Sequence, residues 1–331
     1  CSSDLAKRHK FAQLSGFVNG VLRNIARNID SVQFDTLSIR YSMPQWIVDR
    51  FVAAYGEKKA EEIFKAFHSK STISIRTNLT RCTPDELRVM LEAEGVTVTA
   101  VDELNYAFVI SGFDYLNGLQ SFRDGLFYVQ DISSMLVAQT AAPKKGDYVI
   151  DVCAAPGGKS THIAELLQGS GHVLARDLTD NKVDMIEENI ERHGLNNMSA
   201  EVWDATVFDA DSAGKADILI CDLPCSGLGV LGRKKDIRYK MTPESVDELA
   251  ALQRQILDTV HTYVKPNGVL VYSTCTIDEA ENEDNVRWFI EKHPEFELDK
   301  SFAEGTGMKQ ILPGEHGSDG FFIARFIKSK L

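Results

Sequence analysis

The stretch VIDVCAAPGGKSTHIAELL, at residues 149–167, limits the possible folds more than any other part of the sequence. An apolar run enters a turn that contains Pro156, Gly157 and Gly158, and a helical pattern follows the turn. A buried strand that passes through a glycine turn directly into a helix is typical of the first unit of an α/β domain. The stretch therefore predicts a sheet with a ligand crevice at the carboxyl ends of its strands.

The sequence after residue 147 continues this alternation of patterns. Apolar runs predict strands at 148–152, 172–177, 199–203, 217–222, 269–274 and 320–328. Helical spacing predicts helices at 159–167, 180–193, 243–263 and 279–292. Strands that alternate with helices predict a doubly wound, mostly parallel sheet with helices on both faces.

The sequence before residue 147 is ordered differently. Helical patterns occur at 11–29, 43–55 and 57–68. They are followed by a strand pattern at 71–78, a helix at 83–95 that starts at Thr83 and ends at Gly95, and two more strand patterns. This β-α-β-β order predicts a small α+β domain, and we set the predicted domains at 1–30, 31–126 and 127–331.

Composition narrows the class of protein. The 331 residues carry a net charge of −12, which argues against a simple nucleic-acid coat protein. Local basic clusters at 7–10 and 233–240 still allow RNA to bind. No apolar run reaches the roughly 20 residues of a membrane helix, and no CxxC pair points to zinc, so we expect a cytoplasmic protein without a membrane span or metal.

The glycine turn fits some ligands better than others. A P-loop would need a glycine where Cys153 stands, and Pro156 removes a backbone N–H that should bind phosphate. A dinucleotide turn would need three spaced glycines, but only Gly157 and Gly158 are present. The turn favours a ligand without phosphate, S-adenosylmethionine, and a P-loop NTPase stays the alternative.

Three acidic residues follow successive predicted strands. Asp177, Asp204 and Asp222 each end a strand pattern after the glycine turn. A single aspartate at such a place is usually a turn former, but three in succession favour a binding crevice. We expect Asp177 to bind the ribose hydroxyls, Asp204 to face the adenine amino group, and the three charges to suit a cationic sulfonium.

Two cysteines lie beyond neighbouring predicted strands. Cys225 follows the fourth strand and Cys275 the fifth, so both thiols are expected at the crevice. Carbon 5 of cytosine is a poor nucleophile until a thiolate adds to carbon 6, which is covalent catalysis. Asp222 is placed to stabilise such an adduct near ring N3. The residues thus predict methyl transfer to a pyrimidine carbon.

Four segments together resemble a known family. CAAPGGK (153–159), DLPCSG (222–227), STCT (273–276) and DGFFIARF (319–326) are similar to the RNA cytosine-C5 methyltransferases of the NOL1/NOP2/Sun family. The resemblance covers roughly residues 71–328. It implies a class I, Rossmann-like methyltransferase domain with a mostly parallel seven-stranded sheet and S-adenosylmethionine as cofactor.

The resemblance also implies roles for single residues. Cys275 would be the nucleophile, Cys225 would assist product release, and Asp222 would serve both the base and the cofactor. The remaining cofactor-binding residues would be Cys153, Ala154, Ala155, Pro156, Gly157, Gly158, Lys159, Asp177 and Asp204. Cys153 would belong to the cofactor loop and would not act as a nucleophile.

The N-terminal segment adds an expectation about the substrate. GFVNGVLRNI (16–25) resembles the last helix of a NusB-like domain, which bacterial members that methylate a cytidine of 16S ribosomal RNA carry. Residues 1–30 would then be a remnant of that domain, in a chain truncated before Cys1. Residues 31–126 would be an RRM-like RNA-binding domain, with Arg76 and Arg81 as candidate RNA contacts.

The expected partner is therefore 16S ribosomal RNA or a small-subunit precursor, and the expected oligomeric state is a monomer. The same chemistry on another ribosomal or transfer RNA cytidine, or a non-catalytic RNA-binding assembly factor, stays an alternative.

Overall fold

The computed structural model describes residues 4–5, 8–9, 11–31, 34–69 and 72–330. Cys1, Lys7 and Lys10, which were named from the sequence, lie outside the described residues. The chain divides into two compact units, Cys1–Val48 and Asp49–Leu331. No helix in the described ranges is long and apolar enough to cross a membrane.

The first unit is helical. It contains α1 (Ser15–Asn28) and α2 (Leu37–Arg40), and α3 (Gln45–Tyr55) begins in it. The Oγ1 atom of Thr36 caps α2 by accepting a hydrogen bond from the Ile39 N–H. Apolar residues recur on α1 at helical spacing, as the sequence predicted, but all residues of α1 are at least partly exposed.

After the end of α3, the second unit contains helix α4 (Glu57–His68) and a four-stranded antiparallel sheet. The elements of this domain are β1 (Ile73–Thr77), α5 (Pro84–Ala93), β2 (Thr97–Val101), β3 (Leu104–Ser111), α6 (Gln120–Arg123) and β4 (Phe127–Val129). The strand order is β2-β3-β1-β4, which is the arrangement of a ferredoxin-like domain. The sequence predicted the first β-α-β-β part, whereas β4 lies beyond the predicted boundary at residue 126.

The larger domain is a doubly wound α/β sheet. Its elements are α7 (Ile132–Ala141), β5 (Tyr148–Asp151), α8 (Gly158–Leu166), β6 (His172–Asp177), α9 (Asp180–His193), β7 (Met198–Val202), β8 (Ala216–Asp222), α10 (Ile237–Lys240), α11 (Pro243–Val260), β9 (Val264–Thr274), α12 (Glu283–Lys292), β10 (Phe296–Leu298), β11 (Met308–Ile311) and β12 (Phe321–Lys328).

The sheet order is β10-β12-β9-β8-β5-β6-β7, with β11 paired to β12. Strands β9, β8, β5, β6 and β7 are parallel, and the other three pair antiparallel. The expected mostly parallel sheet is confirmed, but the sheet has eight strands and not seven. Strands β10 and β11 have three and four residues, which is too short for a clear alternation of apolar residues.

A buried ion pair joins the two domains of this unit. Arg76 on β1 is fully buried, and its guanidinium pairs with Glu165 on α8. Arg76 Nε also donates to Gln130 Oε1 at 2.9 Å, and Nη2 donates to Thr161 Oγ1 at 3.1 Å. The prediction that Arg76 contacts RNA is therefore wrong, because the side chain is enclosed between the domains.

Arg81 also lies at this junction. Its Nε donates to the His193 carbonyl at 3.0 Å, and its Nη1 donates to the Asp124 carbonyl at 2.5 Å. The guanidinium therefore links the ferredoxin-like domain to the end of α9.

Candidate active site

The predicted site residues follow the carboxyl ends of the parallel strands. Residues 153–159 follow β5, Asp177 ends β6 and Asp222 ends β8. Cys275 follows β9 directly, and Cys225 lies three residues beyond β8. Because the carboxyl ends of parallel strands meet at one edge of a sheet, this edge forms the crevice that the topology requires.

Backbone hydrogen bonds define the turn at 153–159. The Ala154 N–H donates to the Arg176 carbonyl at 2.8 Å, and the Gly157 N–H donates to the Ala154 carbonyl at 2.7 Å. Gly157 has φ +101°, which side-chain-bearing residues rarely adopt, and it precedes the first residue of α8. The turn thus leads directly to the N-terminus of α8, where the first backbone N–H groups have no acceptor within the helix.

Asp177 is the acid that closes this turn. Only 3% of the residue is exposed, and its Oδ2 accepts the Ala155 N–H at 2.9 Å. Its Oδ1 accepts the Leu178 N–H at 2.7 Å and the Lys182 ammonium at 2.8 Å. A carboxylate has about four acceptor positions, so a ribose hydroxyl can still be bound here. The residues present therefore fit an adenosyl ligand.

Asp204 differs from Asp177. It lies two residues beyond β7 and is exposed, and its Oδ1 accepts hydrogen bonds from the Thr206 N–H at 2.8 Å and the Thr206 hydroxyl at 2.7 Å. These hydrogen bonds lower the pKa of Asp204. It forms a local turn at the rim of the sheet edge, and its contact with adenine stays a prediction.

Lys159 connects the turn to the catalytic side of the crevice. Its ammonium lies 2.7 Å from Asp222 Oδ2, and Ser273 donates to Asp222 Oδ1 at 2.7 Å. Burial opposes the charge of Lys159, but the Asp222 carboxylate outweighs it and raises the pKa of Lys159. Asp222 is therefore held between the cofactor turn and the strand that leads to Cys275.

The two predicted thiols are in contact. Cys225 Sγ lies 3.3 Å from Cys275 Sγ, and both side chains are half-buried. The hydrogen bond from Cys225 lowers the pKa of Cys275, with help from the Lys159 and Lys234 charges. The same hydrogen bond and burial raise the pKa of Cys225. The pair thus favours a thiolate at Cys275 and a thiol at Cys225.

Comparison with known proteins shows the family of the chain. Residues 138–327 match the model of the family described as 16S rRNA methyltransferase RsmB/F. The chain belongs to the RsmB/F family. Residues 43–113 match the ferredoxin-like domain of RsmF/B-like methyltransferases. The chain is thus an S-adenosylmethionine-dependent rRNA methyltransferase.

Individual relatives share nearly the whole chain. The probable ribosomal RNA small subunit methyltransferase B of Bacillus subtilis is 37% identical over 98% of this chain and 76% of its own length. The Salmonella paratyphi A ribosomal RNA small subunit methyltransferase B is 33% identical over 96% of this chain and 74% of its own length. The chain therefore spans about three quarters of these relatives.

Two solved structures share the fold. PH0851 superposes with a TM-score of 0.85 at 29% identity, and the match covers 99% of this chain and 75% of that chain. NSun6 from Pyrococcus horikoshii with SFG superposes with a TM-score of 0.79 at 25% identity, over 87% of this chain and 99% of that chain.

Some residues of this RsmB/F-family site were missed from the sequence. Asp151, fully buried at the end of β5, accepts a hydrogen bond from Ser160. Burial raises the pKa of Asp151 to about 7. The buried polar residues Ser226, Gln253, Glu281 and Asn282 were also missed. The segment DEAENED (278–284) gave no signal of burial, because an acid-rich run is usually exposed to solvent.

The basic cluster at 233–240 is partly used inside the protein. Arg233 Nε pairs with Asp319 at 2.6 Å and its Nη2 with Asp131 at 3.0 Å, and only 4% of Arg238 is exposed. Lys234 and Lys235 are exposed, and the Lys234 charge acts on Cys275. Within this cluster, Lys234 and Lys235 therefore stay candidates for the predicted RNA contact.

Proposed function

We propose that the chain methylates carbon 5 of a cytidine in 16S ribosomal RNA through a covalent adduct between Cys275 and carbon 6 of the base. The 3.3 Å contact of Cys275 with Cys225, beside the Lys159–Asp222 pair, is the observation that carries this proposal. The descriptions of the family and of its relatives supply the 16S RNA as substrate.

The first step is the attack of the Cys275 thiolate on carbon 6. A carbon–sulfur bond forms, and the ring electrons shift so that carbon 5 becomes nucleophilic. Asp222, held in place by Lys159 and Ser273, would bind the ring near N3. A proton passed from the Lys159 ammonium through Asp222 would neutralise the charge that the adduct places on N3. When bound, S-adenosylmethionine would supply the methyl group to carbon 5 and would leave as S-adenosylhomocysteine. The target base must leave its stack to reach the crevice.

The second step restores the aromatic ring. A base removes the carbon-5 proton, the electron pair returns to the ring, and the bond between carbon 6 and Cys275 breaks. Cys225 is suited to this task because the adduct removes the negative charge of Cys275. Without that charge, the pKa of Cys225 falls, so its thiol can lose its proton to solvent water. The Cys225 thiolate can then take the proton from carbon 5.

The test uses the full chain, tritiated S-adenosylmethionine and 16S RNA. We expect Cys275→Ala to abolish methyl transfer and Cys225→Ala to accumulate an RNA adduct that survives denaturant. Full activity of Cys275→Ala would disprove the nucleophile, and the absence of any stable adduct would disprove the release role. Bisulfite sequencing of the product locates the methylated cytidine. Methylation of a transfer RNA and not of 16S RNA would show that the proposed substrate is wrong.

We also propose a cytoplasmic monomer, in keeping with a substrate that is part of the ribosome. Light scattering of the purified chain measures its mass, and a value twice that of one chain would contradict the monomer.

A further inference from the structure

The residues on both sides of Cys225 are held by buried side chains from distant segments. Gln253 Nε2 donates to the Pro224 carbonyl at 2.8 Å. Glu281, which is fully buried, accepts the Ser226 N–H at 2.9 Å with Oε1 and the Ser226 hydroxyl with Oε2. Gln253 Nε2 also donates to Glu281 Oε1 at 2.9 Å. The loop that carries Cys225 is therefore fixed from behind.

The residues on both sides of Cys275 are held in the same way by the next residue, Asn282. The Thr274 hydroxyl donates to Asn282 Oδ1 at 2.6 Å, and Asn282 Nδ2 donates to the Thr276 carbonyl at 3.1 Å. Asn282 is fully buried. One side chain thus holds the residue before the nucleophile by its hydroxyl and the residue after it by its backbone carbonyl.

A direct contact also connects the two loops. The hydroxyl oxygens of Ser226 and Thr276, each next to one of the cysteines, lie 2.9 Å apart. The hydrogen bonds of Glu281 therefore reach both loops, directly at Ser226 and through Ser226 at Thr276.

We propose that Glu281 and Asn282 are positioning residues that hold Cys225 and Cys275 in contact and decide which of the two thiols carries the proton. The roles of the two thiols in methyl transfer rest on the proposed function. The arrangement of the thiols in the free enzyme depends on these hydrogen bonds and requires neither RNA nor methyl donor.

The surrounding charges explain the direction of the effect. Cys225 faces Cys275 and the Glu281 carboxylate, and both raise the pKa of Cys225. Cys275 faces Lys159 and Lys234, which lower its pKa, and Asp222, which opposes them. Removing the Glu281 charge should therefore lower the pKa of Cys225 toward that of Cys275.

The test measures alkylation of each thiol by iodoacetamide as a function of pH, by mass spectrometry of the full chain. In Glu281→Gln the Ser226 loop is held less firmly, so Cys275 should lose the hydrogen bond from Cys225 that lowers its pKa. The midpoint for Cys275 should then rise by about one pH unit, and its alkylation at pH 7 should fall about tenfold. The share of label on Cys225 should rise at the same time. Methyl transfer should lose kcat, while the KM for S-adenosylmethionine stays unchanged.

The matched control is Glu279→Gln, an exposed acid two residues away, which should leave both midpoints unchanged. Ser226→Ala is a second variant with a smaller change, because it removes only the hydroxyl that links Glu281 to Thr276. If Glu281→Gln does not unfold cooperatively in a thermal melt, Ser226→Ala tests the proposal in its place. Its Cys275 midpoint should shift in the same direction but by less.

An unchanged Cys275 midpoint in the folded variants would overturn the proposal. Alkylation requires neither RNA nor methyl donor. Failure of the proposed function, seen as full activity of Cys275→Ala, is therefore distinct from failure of this inference.

Discussion

The cofactor half and the thiol half of the crevice are built in different ways. The cofactor half, residues 153–159 with Asp177, is shaped mainly by backbone hydrogen bonds and by the conformation of Gly157. The thiol half, the loops around Cys225 and Cys275, is shaped by buried side chains that come from α11 and from the residues before α12. We therefore expect the shape of the cofactor half to depend on local backbone geometry. The shape of the thiol half should depend on polar side chains from other segments.

Asp151 is the main exception to this comparison, because its buried carboxyl group lies in the cofactor half, which is otherwise shaped by the backbone. Its raised pKa, about 7, means that the unfolded chain releases this proton at lower pH than the folded one. Protonated Asp151 therefore makes its full contribution to stability below about pH 4. This contribution, on the order of 4 kcal/mol, is lost as the pH rises through 7. Asp151→Asn should accordingly be more stable than the parent at pH 8 and lose this advantage toward pH 4.

Urea unfolding at several pH values measures the free energy of unfolding for this variant. The exposed Asp184→Asn serves as control and should show no such trend. Equal pH dependence of Asp151→Asn and the parent would show that the carboxyl is not buried in the way described.

Asn282→Ala tests the thiol half. The substitution leaves the Thr274 hydroxyl and the Thr276 carbonyl without their buried partner, which should lower the free energy of unfolding by about 3 kcal/mol. The affinity for S-adenosylmethionine, measured by calorimetry, should stay within about twofold if the halves are independent. An affinity loss as large in free energy as the stability loss would show that the two halves are not independent. The control is Asn117→Ala, at an exposed position.

Asp177→Asn tests the cofactor half. An amide in place of the carboxylate presents a donor where the Ala155 N–H, the Leu178 N–H and Lys182 need acceptors. We expect the affinity for S-adenosylmethionine to fall about 100-fold, since hydrogen bonds to charged groups contribute about 1.5–3 kcal/mol each. Iodoacetamide labelling of Cys275 should not change, and a shift in its pH midpoint would couple the two halves.

Gly157→Ala has the smallest expected effect. A side chain at φ +101° costs about 1–2 kcal/mol of stability, and the new Cβ would lie 3.5 Å from Ile186. Thermal unfolding measures the loss, with Gly20→Ala in α1 as the control, where a Cβ meets no atom within 4 Å. A stability gain in Gly157→Ala would show that the turn does not need this conformation.

The same difference explains what the sequence could predict. The turn at 153–159, Asp177 and the two thiols follow strand ends, so the strand pattern alone places them at one edge. Glu281 and Asn282 come just before α12, where acidic and polar residues normally stabilise an exposed helix start. Glu281 is buried against the Ser226 loop, 55 residues away in the sequence, and Asn282 is buried against the loop of Cys275, which turns back onto it.

Arg76 shows the same limit in the other domain. A single arginine in an alternating strand is typical of a solvent-facing position, and the sequence does not reveal that a helix of another domain covers it. Only the tertiary structure identifies Glu165 as its partner.

The Arg76–Glu165 pair has a consequence for recombination within the family. Exchange of the ferredoxin-like domain for that of a relative without this arginine would leave Glu165 alone in the interior, and breaking a buried pair from one side costs about 3–5 kcal/mol. Residues 76 and 165 are therefore expected to change together in evolution, so that the two domains diverge as one unit. A chimera that takes its small domain from such a relative should regain this stability only when residue 165 is exchanged together with residue 76.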